Sequence, residues 1–136
     1  ADANFFDMGL CGPKRTDLMG RTDLCGQFKV PTLRNIELTA PYFHNASVTT
    51  LNQAVSFYAT RDLRPELWYP TVNGQVDKFN DLPASMRTNV NMARPFGLRP
   101  GDAPILTAED VADLVAFLRT LTDDRTAPAG STRVNQ

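Results

Sequence analysis

The stretch Phe28-Lys29-Val30-Pro31-Thr32-Leu33-Arg34-Asn35-Ile36-Glu37-Leu38-Thr39-Ala40-Pro41-Tyr42-Phe43-His44-Asn45 decides how the rest of the chain is read. Pro31 and Pro41 fix their own φ and push Val30 and Ala40 away from helical geometry. Between and after them, Leu33, Ile36, Leu38, Tyr42 and Phe43 supply apolar anchors, but the prolines leave no room for a long helix. The expectation is an ordered loop with one short helical turn, held by those five side chains.

On the C-terminal side of this stretch, Thr50-Leu51-Asn52-Gln53 has the spacing of a capping box, with Thr50 as N-cap and Gln53 three residues on. Leu51, Ala54, Val55 and Tyr58 share one face at helical spacing, so a helix is expected over about residues 51–59. Residues 60–103 are broken by Pro65, Pro70, Asn73-Gly74, Pro83, Pro95, Gly97 and Pro100-Gly101, and read as irregular apart from a short helix near Pro83–Arg87. So long an irregular stretch in a small domain implies a functional or wrapping segment. The clearest helix comes last. Thr107 caps it, Glu109 and Asp110 lie in its first turn, and Val111, Leu114, Val115, Leu118 and Leu121 make an apolar stripe that Phe117 widens. Towards the N-terminus, Arg15-Thr16-Asp17-Leu18 is echoed by Arg21-Thr22-Asp23-Leu24, too short for a structural repeat and read as two similar turns or chance.

Composition excludes several classes. The chain has 136 residues, 14 basic and 15 acidic, giving a formal charge of −1. That balance offers no electrostatic case for nucleic acid or an anionic membrane surface. No apolar run approaches the roughly 20 residues that span a bilayer. Two cysteines and one histidine, Cys11, Cys25 and His44, are too few and too scattered for a structural zinc site. A Cys–His nucleophilic pair has no local support. A Cys11–Cys25 disulfide is preferred, with two buried free thiols as the alternative. It would close a loop worth ~3 kcal/mol in the chain-entropy model and imply an oxidising compartment.

The segment 28–45 resembles the signature of the bacterial dihaem cytochrome c peroxidases and their MauG-like relatives. Thr50–Val55 resembles the helix that follows this signature. Asn89–Asn91, Pro95–Gly97 and Pro100–Pro104 resemble the loop of the MauG-like branch, and Leu106–Thr122 resembles the closing helix. The likeness runs over about residues 5–124. It implies an all-α, cytochrome c-like haem domain with long irregular loops, part of a dihaem peroxidase fold. Residues 1–124 would be the C-terminal domain, incomplete at its N-terminal side, and 125–136 a flexible tail. One departure is large: the family attaches haem through C-x-x-C-H, which is absent from this sequence. The attachment segment is therefore expected just upstream, in a longer protein.

The resemblance also implies roles. Tyr58 falls where peroxidases place a distal Met on the electron-relay haem and MauG-like proteins a tyrosine, so it is the candidate axial ligand. The bland alternative is a core tyrosine whose hydroxyl is satisfied locally. Met92 is the runner-up ligand. Arg34 could pair with a haem propionate or, equally, with Glu37 or an aspartate. His44 is expected to be a structural, haem-pocket residue rather than an iron ligand. Thr39 and Pro41 match positions whose carbonyls help bind calcium between the two haem domains. Trp68 and Tyr69 would serve either electron hopping or packing. Leu51, Val55, Phe117 and Leu118 would face the haem. The implied cofactors are haem c and calcium. The implied partners are a missing N-terminal haem domain or subunit, and a cytochrome c or cupredoxin donor or else a protein substrate. The implied location is the periplasm. Two chemistries fit: peroxide reduction with cytochrome c, or MauG-like peroxide-dependent oxidation of a partner protein. The competing readings are a plain electron-transfer cytochrome or a haem-free interaction module.

Overall fold

A computed structural model describes residues 5–12 and 15–123. The expected tail, residues 125–136, lies outside them. Two α-helices organise the fold: α1, Leu51–Thr60, and α2, Ala108–Thr120. Thr50 Oγ1 accepts the Gln53 N–H at 3.2 Å, as an N-cap should. Gln53 does not return the favour to the backbone; its Oε1 meets the Thr50 hydroxyl instead. The reciprocal box forms at α2, where Thr107 accepts from the Asp110 N–H and the Asp110 carboxylate accepts from the Thr107 N–H at 2.8 Å.

The core is the seam between these helices. Leu51, Ala54, Val55 and Ala59 of α1 pack with Val111 and Val115 of α2, together with Tyr42 and Val48. Ile36, Phe43, Leu106 and Leu118 close its edges. Leu51 and Val55 are thus buried against protein, not left on an open face awaiting a cofactor. Of the stripe expected on α2, Val111, Val115 and Leu118 enter the seam, whereas Leu114 and Phe117 are exposed, Phe117 by 58%. One partner helix covers a narrower arc than the apolar stripe spans.

The opening stretch forms the expected loop with a short 3₁₀ turn at Ile36–Leu38. Ile36, Tyr42 and Phe43 hold it, but Leu33 and Leu38 are exposed. Tyr42 seats the loop twice: its N–H bonds the Val48 carbonyl at 2.7 Å, and its hydroxyl donates to the Ile36 carbonyl at 3.0 Å.

The two Arg-Thr-Asp-Leu segments are indeed similar turns, 3₁₀ helices at Thr16–Leu18 and Thr22–Leu24, each with its arginine forked onto its aspartate. Cys11 and Cys25 are joined in a disulfide. Around it Gly9, at φ +58°, lies so close to the Gln27 carbonyl that a Cβ would sit 2.2 Å from its oxygen. Asn89 docks this loop onto the rest of the chain by donating to the Thr22 and Cys25 carbonyls.

Residues 61–107 are mostly irregular, with 3₁₀ turns at Pro65–Leu67 and Ala84–Asn89. They also hold a small antiparallel ribbon, β1 (Thr71–Val72) and β2 (Gln75–Val76), which the expectation of an all-α chain did not include. Asn73 and Gly74 turn it with φ of +50° and +79°, the left-handed pair that suits the twist of a two-residue hairpin. Asn73-Gly74 is thus a hairpin turn and not only a breaker, as the Asn-Gly pair between extended segments signals. Among the described residues, no helix is long and apolar enough to cross a membrane.

Candidate functional site

Tyr58 sits in the last turn of α1. It is 47% exposed, yet its ring is held in an aromatic cluster: 5.4 Å from Phe96, 6.1 Å from Phe57 and 6.3 Å from Phe43 between centroids. No described residue hydrogen-bonds its hydroxyl. The locally satisfied core tyrosine is therefore Tyr42, not Tyr58. Phe57 extends the cluster inward, edge-on to Trp68 at 5.3 Å. The Trp68 indole N–H donates to Thr60 Oγ1 at 3.0 Å, and Tyr69 stacks edge-on with Phe79 at 5.5 Å. Burial pushes the Tyr69 hydroxyl well above its ordinary range.

One turn beyond Tyr58 comes an arrangement the sequence did not reveal. Arg61 and Asp62 are the buried charged residues among those described, 4% and 3% exposed. Arg61 donates to the Asp62 carboxylate through Nε and Nη2, at 3.1 and 2.6 Å. Lys78 also donates to Asp62, and so does the Gly97 N–H at 3.0 Å. Burial alone would raise the Asp62 pKa; the bonds from Arg61, Lys78 and Gly97 outweigh it and hold the carboxyl below its usual range. The Arg61 guanidinium lies 3.8 Å over the Phe96 ring and reaches the Asn91 carbonyl and Met92 Sδ, at 2.9 and 3.4 Å. An Arg-Asp dipeptide at a helix end ordinarily reads as solvated surface, and nothing in its spacing marks it as buried.

The other expected residues are scattered. Met92 is half exposed, with its sulfur turned to Arg61. His44 stacks face to face on Phe28 at 3.8 Å, on the opening loop. Arg34 is taken up by an exposed ion pair with Asp123 at 3.0 Å, while Glu37 pairs with Arg119. Thr39 turns its hydroxyl to the Ile36 carbonyl, and the peptide before Pro41 is cis. No cluster of His, Cys, Asp and Glu able to hold a metal occurs among the described residues. An open groove of about 520 Å³, bordered by Asn52, Ser56, Arg64, Asp102 and Leu106, contains none of the expected site residues.

No family model matches the sequence. Individual relatives do. The chain is 36% identical over 105 residues to the methylamine utilization protein MauG of Paracoccus denitrificans, covering 76% of this chain and 24% of MauG. It is 48% identical over 61 residues to the cytochrome c551 peroxidase of Nitrosomonas europaea, across 39% of this chain and 18% of that protein. The crystal structure of the dihaem peroxidase BthA of Burkholderia thailandensis superposes with a TM-score of 0.76 at 40% identity, over 95% of this chain and 32% of BthA. The chain belongs to the dihaem cytochrome c peroxidase and MauG family. It is thus a member of a family of haem oxidoreductases, and it spans between about a fifth and a third of the length of these relatives.

Membership implies haem, and the residues present fit that group around Tyr58. A wall facing a porphyrin needs aromatic surface and a donor not already engaged. Phe96, Phe57 and Phe43 give the first and the Tyr58 hydroxyl the second. Covalent attachment needs residues that this sequence does not contain.

Proposed function

We propose that this chain is the part of a periplasmic dihaem c-type peroxidase that houses the electron-relay haem, with Tyr58 as an axial ligand to its iron. The observation that carries this is Tyr58 itself: half exposed, its hydroxyl without a partner among the described residues, and its ring set in a packed aromatic wall. Bound haem supplies an iron that accepts and passes on single electrons. What Tyr58 contributes is a hard oxygen donor once its phenol proton is lost. Such a donor favours ferric iron and lowers the potential, whereas a thioether raises it. Phe96 and Phe57 fix the plane of the Tyr58 ring and shield its inner side from water.

Residues 1–124 would form the C-terminal domain of the full protein, with peroxide activated at the second haem, in the N-terminal domain. Thr39 and Pro41 would offer backbone carbonyls to a calcium ion between the domains, since carbonyl oxygen suits that hard cation. His44 would serve as a structural residue there. The disulfide suits the oxidising periplasm. A tyrosine at position 58 favours the MauG-like reaction, peroxide-dependent oxidation of a partner protein. Reduction of hydrogen peroxide with electrons from cytochrome c or a cupredoxin is the second reading, supported by the peroxidase names among the relatives.

The test is the ferric spectrum and potential of the full-length protein carrying Tyr58→Phe or Tyr58→Met. BthA has been crystallised as a variant with one tyrosine replaced by methionine, the same exchange in kind. Tyr58→Met should raise the potential of one haem and introduce a sulfur-to-iron charge-transfer band. If Tyr58→Phe leaves spectrum and potential unchanged, Tyr58 is not a ligand and the reading fails.

A further inference from the structure

Arg61 and Asp62 are costly to bury. Removing two charges from water is repaid only where geometry is good, and apolar residues of similar size often stabilise a fold equally well. Their use here is better sought in what they hold. Asp62 accepts from the Gly97 N–H, and Arg61 donates to the Asn91 carbonyl, so one ion pair grips both ends of the segment 91–97. That segment is tightly closed on itself: Gly97, at φ +75°, faces the Met92 carbonyl so closely that a Cβ would meet its oxygen at 2.4 Å. It carries two side chains that meet Arg61: Phe96, which lies under the guanidinium and also packs against the Tyr58 ring, and Met92, which presents its sulfur to Arg61 Nη2.

We infer that the Arg61–Asp62 pair is a positioning device that clamps the 91–97 segment, fixing Phe96 on Tyr58 and engaging the Met92 sulfur so that it does not compete with Tyr58 for iron. An N–H directed at a thioether takes one of the sulfur's two lone pairs and holds the sulfur turned toward the guanidinium. The second part rests on the proposed role of Tyr58; the clamp itself does not.

Arg61→Lys tests it in the full-length holoprotein. Lysine keeps a cation for Asp62 but lacks the planar fork that reaches the carboxylate, the Asn91 carbonyl and the sulfur together. Amide hydrogen exchange in residues 91–97 should accelerate at least tenfold while that of α1 and α2 is unchanged. The ferric spectrum should gain a sulfur-to-iron charge-transfer band, absent again in Arg61→Lys/Met92→Leu. Unchanged exchange in 91–97 overturns the clamp. Faster exchange with no sulfur band overturns its role in ligand choice. Met92→Leu alone is the companion, since Met92 is half exposed and its loss spares the fold. It should leave the ferric spectrum as it is, and a changed spectrum would show that Met92 is already bound, overturning the inference. Failure of the Tyr58 reading is seen separately, in the unchanged spectrum of Tyr58→Phe.

Discussion

Asn35 and Asp123 bind each other reciprocally across 88 positions: the Asn35 amide donates to the Asp123 carboxylate at 2.9 Å, and the Asp123 N–H donates to Asn35 Oδ1 at 2.7 Å. The Asn35 N–H also reaches the Leu121 carbonyl at 2.9 Å, so the opening loop is fastened to the end of α2. Asn35 does this from φ +59°, a conformation asparagine tolerates better than most residues. Asn35→Ala should lose both side-chain bonds and strain the backbone, destabilising by about 2–3 kcal/mol in chemical denaturation. Asn35→Gly relieves the strain alone and should recover about 1 kcal/mol of that. Equal losses for the two variants would show that the left-handed backbone contributes nothing.

The two tyrosines near the seam should behave oppositely. Tyr42→Phe removes a hydroxyl that donates to the Ile36 carbonyl, and should cost about 1 kcal/mol. Tyr58→Phe removes a hydroxyl with no described partner, so its cost in the haem-free state should fall below about 0.5 kcal/mol. Thermal unfolding of the two variants side by side checks this. A larger loss for Tyr58→Phe than for Tyr42→Phe contradicts the assignment of their hydroxyls.

Stability should be sensitive to acid through Asp62. Its carboxyl is held below the ordinary value in the folded state. A depressed folded pKa means that stability is fully present above the unfolded pKa, about 3.9, and is lost as pH falls through the lower folded value. Asp62→Asn should flatten the decline of stability below about pH 4. At neutral pH the same variant leaves Arg61 buried without its anion, at a cost of roughly 3–5 kcal/mol. Parallel acid-unfolding slopes for the two proteins would exclude Asp62 as the group responsible.

Removing the disulfide gives a fourth test. Cys11→Ser/Cys25→Ser should lower stability by about 3 kcal/mol, the entropy of the loop it closes. Thiol labelling of the denatured, unreduced protein should find no reactive cysteine. Two labelled thiols per chain would mean that the native protein does not carry the bond.

Much of the frame could be read from local signals. Leu51, Ala54 and Val55 announce α1 by their period, and Thr107 with Asp110 announces α2 by a cap that needs only neighbours in sequence. Pro31 and Pro41 bracket the loop between them because proline acts on its own residue and the one before. Legibility ends where burial is decided by distant partners. Leu114 and Leu118 lie side by side on the apolar stripe of α2, but only Leu118 packs against the core. Leu33 and Leu38 look like anchors beside Ile36, but only Ile36 finds the core. The state of the Tyr58 hydroxyl is not a matter of period at all: its position in α1 could be foreseen, but a hydroxyl without a partner among the described residues could not. Asp62 draws its partners from positions 61, 78 and 97, a constellation with no spacing rule, so nothing local in the sequence marks it as buried.

The small ribbon offers practical access to this protein. Its turn stands clear, with nothing within 4 Å of a Cβ placed on Gly74. Its base is closed independently, by the bond from the Asp77 N–H to the Pro70 carbonyl. Extra residues spliced between Asn73 and Gly74 would lengthen a loop whose entropy grows only with the logarithm of its length. A peptide handle, a fluorophore or a surface-attachment tag inserted there would let the protein be immobilised in a defined orientation, leaving the helix seam and the wall around Tyr58 as they are.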